Sequence, residues 1–216
     1  MWVMTCAKNL DRKAAHVRAT WAKRFDKVLY ASDYENKTFP TIAINPGLGR
    51  EHLTAKTMQT FDYIYKHHFH DADWFMKADD DTYVIAENLR YFLSGQNTSS
   101  PIYFGSHFRT RMPQGYMSGG AGYVISKEAL RRYGARASGA CAEDYGSEDK
   151  FFGFCMEKLG VKTGESRDVL NRTRFHCFTP GNHVHGKYVD WYYKFDKYGG
   201  QEVSYHGNRD AFSHNL

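Results

Sequence analysis

Three consecutive carboxylates, Asp79, Asp80 and Asp81, stand in the stretch WFMKADDDTYVI between two apolar flanks. Like charges this close repel one another. Their compensation is a metal ion, a set of basic neighbours, or only the water around a turn. A D-x-D spacing at a strand end suits a hard divalent cation, because carboxylate oxygens prefer Mg2+ or Mn2+. Such a cation on a diphosphate would neutralise charge on a leaving group. The competing reading is a solvated Asp-rich turn, and the apolar frame of the triplet argues against it.

Two further stretches carry candidate chemistry. In QGYMSGGAGYVISKEAL (residues 114–130), Gly119, Gly120 and Gly122 let the backbone approach a ligand where a side chain would forbid it. A tight turn into the strand GYVIS accounts for the same glycines. In YGSEDKFFGFC, Ser147 is placed as a helix N-cap with Glu148 and Asp149 in the first turn, where acids complement the helix dipole. The alternative is that one of these acids faces a cleft as a general base. Of the 11 histidines, His67, His68 and His70 read as a solvated helix end. His206, in QEVSYHG, follows a strand-like alternation and is a candidate nitrogen ligand in the same cleft as Asp81.

The elements that must position these groups follow from periodicity. WVMT reads as a strand, followed by a helix with Asn9 as its N-cap and Leu10, Ala14, Val17 and Trp21 on one face. KVLYA and TIAI read as strands, then a helix through Leu53, Thr57, Phe61, Ile64 and Tyr65, and a buried strand WFMKA that ends at the triplet. A helix over 86–93, strands at 102–105 and 123–126, and helices near 127–133 and 148–159 complete the order. The succession predicts an α/β fold with a mixed central sheet covered by helices on both faces. In such sheets ligands bind beyond the carboxyl ends of strands, where the Asp triplet stands.

At 216 residues the chain fits one domain, 1–216, with a donor-binding half (about 1–113) and a catalytic and acceptor half (about 114–216). A net charge of +5 comes from scattered Lys and Arg with no arm or stripe, which disfavours nucleic acid and leaves an anionic small molecule as the better partner. No window supplies the ~20 apolar residues of a membrane span. Cys6, Cys141, Cys155 and Cys177 lack metal-type C-x-x-C spacing, and three N-x-[ST] triplets begin at Asn36, Asn97 and Asn171.

Taken in order, HVRATWAKR, DADWFMKADDDTYVI, NLRYFLS, PIYFG, QGYMSGGAGYVISKEAL, GESRD and VSYHG resemble the inverting β-1,3-glycosyltransferases of glycosyltransferase family 31. Within it they are similar to the group that adds galactose to O-linked GalNAc. The resemblance covers roughly residues 2–170. It implies a GT-A type fold, a UDP-galactose donor held through Mn2+, and a GalNAc-bearing glycoprotein acceptor. By the family pattern Asp81 and His206 ligate the metal, and Asp79 and Asp80 organise donor sugar, ribose or water. Thr5, Arg18 and Lys56 fall in the nucleotide and diphosphate pocket, Gly119 and Gly120 line the cleft, and Asp149 in the E-D-x-x-x-G segment is the base.

The resemblance also implies a Cys141–Cys155 disulfide, a Golgi lumen location, and a membrane anchor and stem upstream that this sequence does not include; a homodimer is among the assemblies open to it. After His206 the sequence departs from the family pattern, with Gly207-Asn208 where the family has Tyr-Val. Two alternatives stay open: an inactive relative acting as chaperone or binding partner, and a sibling β-1,3-transferase with another donor sugar.

Overall fold

The computed structural model describes residues 1–47, 49–109, 111–141, 143–186, 188–199 and 213–215. Its strands are β1 (Trp2–Met4), β2 (Leu29–Ser32), β3 (Thr41–Ala43), β4 (Trp74–Asp79), β5 (Thr82–Val84), β6 (Ile102–Gly105), β7 (His107–Phe108), β8 (Tyr116–Met117), β9 (Tyr123–Ser126), β10 (Lys162–Thr163), β11 (Phe175–His176) and β12 (Ser213–Asn215). The α-helices are α1 (Ala15–Ala19), α2 (Leu53–His68), α3 (Ala86–Ser94), α4 (Lys127–Gly134), α5 (Glu148–Lys158), α6 (Pro180–His185) and α7 (Asp190–Phe195).

Seven strands form one mixed sheet in the order β10-β6-β9-β4-β1-β2-β3. β1 runs parallel to both β2 and β4, whereas β9 runs antiparallel to β4 and β6. Because side chains alternate along a strand, each central strand serves two cores. Trp2, Met4, Phe75, Tyr103, Tyr123 and Ile125 pack on one face, against the α2, α4 and α5 side chains Phe61, Tyr133 and Phe152. Val3, Met76, Ala78, Phe104 and Val124 pack on the other, with Val17, Trp21, Leu89, Phe175 and Tyr192. The expected α/β architecture with both faces covered is present. Among the described residues no helix is long and apolar enough to cross a membrane.

Two caps differ from the sequence reading. The segment after β1 winds as a 3-10 turn at Ala7–Asn9, a π turn at Leu10–Ala14 and then α1, so Asn9 is no α-helix N-cap. Its side-chain amide donates instead to Asp80 at 2.9 Å. The apolar face nonetheless holds, since Leu10, Ala14, Val17 and Trp21 are all buried. Ser147 does stand at the N-cap of α5, but its side chain accepts no capping hydrogen bond; the Lys150 amide is taken by Asp149 Oδ1 at 2.8 Å. Cys141 and Cys155 are bridged, tying the loop before α5 to the helix, while the buried Cys177 thiol donates to the Ser106 hydroxyl at 3.1 Å.

Candidate active site

The register of the sheet brings the three candidate stretches together. β4 ends at Asp79 beside the end of β1, with Met4 opposite Asp79. Antiparallel pairing of Lys77 with Tyr123 delivers the start of β9, and hence Gly119 to Gly122, to the same end. α5 packs on α2 with its N-terminus against that glycine segment, where the Gly119 N–H donates to Asp149 Oδ2 at 2.9 Å.

Each carboxylate of the triplet has partners from the chain itself. Asp79 meets the Lys77 ammonium at 2.6 Å. Asp80 accepts from the Thr5 hydroxyl at 2.8 Å and from Asn9. Lys13 lies 2.8 Å from Asp81 and 3.7 Å from Asp80, and its hydrogen bond with Asp81 holds its ammonium above the ordinary lysine value. The cation at the Asp80–Asp81 oxygens is thus the Lys13 ammonium, a basic neighbour from the chain itself. Among the described residues no group of three or more His, Cys, Asp or Glu side chains, the Asp triplet included, is disposed as a metal site. His206 lies outside the described residues.

Other expected residues divide. Thr5 and Lys56 belong to the cluster, since the Lys56 ammonium donates to the Thr5 carbonyl at 2.6 Å. Burial pulls the Lys56 ammonium below its ordinary value, with Asp33 and Asp80 opposing. Gly120 joins through its carbonyl, which accepts from the Thr82 hydroxyl. Arg18 takes other partners: it donates to the Thr38 carbonyl and lies over the Phe39 ring at 5.0 Å.

The sequence reading missed Lys77. It is fully buried on β4, 2.6 Å from Asp79 and 3.7 Å from Glu148, and it donates to the Gly119 carbonyl at 3.1 Å. Burial works against its charge, yet Asp79, Glu148 and Asp149 together hold the ammonium above its ordinary value. A lysine inside the apolar run WFMKA was the available signal, since a buried charge must be paired. Glu148, in turn, accepts from the Thr57 hydroxyl at 2.9 Å and the Tyr123 hydroxyl at 2.7 Å.

Asp149 keeps a partial opening to solvent although most of its surroundings are protein. Burial pushes its carboxyl above the usual carboxylate range, against the lowering effect of the Gly119 and Lys150 amides and of Lys77. Asp79, whose side chain is 30% exposed, is raised for the same reason. A raised carboxyl with access to the surface is suited to accept a proton.

Gly122 has φ +74°, and a Cβ there would lie 2.8 Å from the Lys77 carbonyl oxygen. Gly122→Ala should therefore cost about 1–3 kcal/mol from backbone strain alone. Urea denaturation checks this, and a midpoint equal to that of the wild type would show that the segment yields.

The aromatic helix α7 is divided between core and surface. Tyr192 is fully buried, whereas Trp191 on the same helix is 47% exposed and packs edge-on to Phe108. Two cavities lie away from this site. One of about 430 Å³ is lined by Met58, Asp62, Arg136 and Cys141, and another of about 550 Å³ by Phe25, Trp74 and Leu89 among others.

Comparison with known proteins is consistent with this architecture. Residues 1–177 match the Fringe-like family. A Xenopus laevis glycoprotein-N-acetylgalactosamine 3-beta-galactosyltransferase 1 is 43% identical over 203 residues, covering 91% of this chain and 56% of that protein. A Mus musculus beta-1,3-glucosyltransferase is 31% identical over 168 residues, 76% of this chain and 34% of that protein. The chain therefore spans about half or less of the length of these relatives. A solved glycosyltransferase involved in glycosylation of the major capsid of PBCV-1 superposes with a TM-score of 0.51 at 11% identity, covering 100% of this chain and 93% of that one, a likeness of fold.

Proposed function

The chain belongs to the Fringe-like family, and we propose that it transfers galactose from UDP-galactose, with inversion, to the 3-hydroxyl of GalNAc α-linked to Ser or Thr of glycoproteins. The observation that carries this reading is the link from Asp79, at the end of the strand that bears the triplet, through Lys77 and Gly119 to the Asp149 carboxylate. Galactosyl transfer to the 3-position of glycoprotein N-acetylgalactosamine follows the name of the Xenopus relative; the UDP carrier and the α-linkage to Ser or Thr are part of this proposal.

An α-linked donor that gives a β product requires displacement at the anomeric carbon from the face opposite UDP. Asp149 takes the proton of the acceptor hydroxyl as its oxygen bonds to that carbon. The bond to the diphosphate oxygen breaks with its electron pair, and UDP departs. Asp81, with His206, would hold Mn2+, and Asp79, Asp80, Thr5 and Lys56 would contact the donor. When bound, Mn2+ supplies Lewis-acid stabilisation of the charge on UDP. The Cys141–Cys155 disulfide supports an oxidising compartment such as the Golgi lumen.

The test is incubation with a GalNAc-Ser/Thr glycopeptide and radiolabelled UDP-galactose, with Mn2+ or with EDTA. Metal-dependent formation of a β-1,3-linked disaccharide is expected. Donor binding without transfer would redirect the reading to another sugar or acceptor. Absence of UDP binding in folded protein would favour the inactive-partner alternative.

A further inference from the structure

We propose that Lys77 is the positioning residue of this site, holding the Gly119 peptide, and through it the Asp149 carboxylate, in place against Asp79. The inference rests on the reading of Asp149 as the base. Gly119 is gripped from both sides: its carbonyl accepts from Lys77 Nζ at 3.1 Å and its N–H donates to Asp149 Oδ2 at 2.9 Å. A side chain at Gly119 would break this bridge, because a Cβ there falls 2.7 Å from Glu148 Oε2 and 3.4 Å from Lys77 Nζ. The ammonium also meets Asp79 at 2.6 Å, so one cation spans the donor-side carboxylate and the glycine segment that holds the base.

The groups around this centre explain why a cation is needed. Asp79 faces it from β4, and Glu148 and Asp149 from α5. The Tyr123 phenol comes from β9 and the Thr57 hydroxyl from α2, both donating to Glu148. The phenols of Tyr103 on β6 and Tyr116 on β8 lie in the field of Asp149. Lys77 supplies the positive charge within that set, against three carboxylates. Glu148 stands 3.7 Å from it, beyond hydrogen-bond reach, so the direct bonds of Lys77 go to Asp79 and the Gly119 carbonyl. Without that cation Asp149 faces two uncompensated acids, and its ionised form is disfavoured.

The test follows the Asp149 carboxyl by NMR in chain labelled with ¹³C at Asp and Glu carboxyl carbons, with Asp149→Asn identifying the signal. Lys77→Met should raise the midpoint by about one unit or more, a tenfold change in acid constant. Lys77→Arg should leave it near the wild-type value, and Lys77→Met with Glu148→Gln should bring it part of the way back. An unmoved midpoint in folded Lys77→Met overturns the proposal. If that variant does not fold, the double variant is compared with Glu148→Gln alone, and equal midpoints overturn it. Failure of both Met variants to fold, with Lys77→Arg intact, would give the lysine a purely structural role and overturn it as well. The titration needs neither donor nor acceptor, so it reads Lys77 even where the transfer assay fails.

Discussion

Asp149→Asn is expected to lower transfer by about 10²–10⁴-fold, the usual worth of a positioned general base, while donor binding is unchanged. At 1.36 kcal/mol per tenfold this is roughly 2.7–5.4 kcal/mol of barrier. The substitution keeps the size of the side chain, and an amide oxygen can still accept from the Gly119 N–H. The capacity to take a proton is lost. The Asp79–Asp81 end, which is proposed to meet the donor, is untouched. Steady-state rates with the glycopeptide, together with calorimetric UDP binding in Mn2+, separate the two effects; weakened UDP binding of the same size would remove Asp149 from the role of base.

A pH dependence accompanies this. The base works only when ionised, and burial raises its carboxyl above the usual range. As pH falls through that raised value, the ionised fraction and kcat/KM fall with it. The acid limb should therefore lie above the ordinary carboxylate range, and it should vanish in the residual activity of Asp149→Asn.

Phe61→Ala should produce the largest loss of stability from one side chain. Phe61 is fully buried on α2 and packs on four rings: Phe152 at 5.0 Å, Trp2 at 5.5 Å, Tyr133 at 5.9 Å and Tyr123 at 6.5 Å. Emptying such a position costs about 3–5 kcal/mol, and the total stability of a domain is only about 5–15 kcal/mol. For a chain of this size each kcal/mol is worth about 2–4 °C, so thermal unfolding should drop by about 6–20 °C. The loss bears on the site, because Tyr123 and Phe152 sit on the strand and helix that carry the glycine segment and Asp149. A drop below about 3 °C would mean that the neighbouring rings collapse into the space.

Much of this was legible before the fold. The strand WFMKA, the strands at 102–105 and 123–126 and the helices after residues 52, 85, 126 and 147 occur with nearly the expected bounds, because each carries a period of 2 or 3.6 that burial on one face enforces. The caps were less legible. Asn9 and Ser147 have the right residue types, but Asn9 spends its hydrogen bond on Asp80, and Asp149 takes the Lys150 amide that Ser147 was expected to accept. Lys77 was visible only as an anomaly, a charge inside an apolar run, with no partner nameable from the sequence.

The sequence by itself determined the succession of elements, the placing of three carboxylates at a strand end, and the glycines and acids that a catalytic cleft would require, since these follow from local periodicity and residue chemistry. Only the tertiary structure decided which of them meet. Antiparallel pairing of β4 with β9 sets Gly119 beside the triplet, packing of α5 on α2 aims Asp149 at its N–H, and a buried lysine from β4 joins the two. The physical reason is that pairing register and helix packing bring together residues about 30 to 70 positions apart, and no local signal encodes that distance.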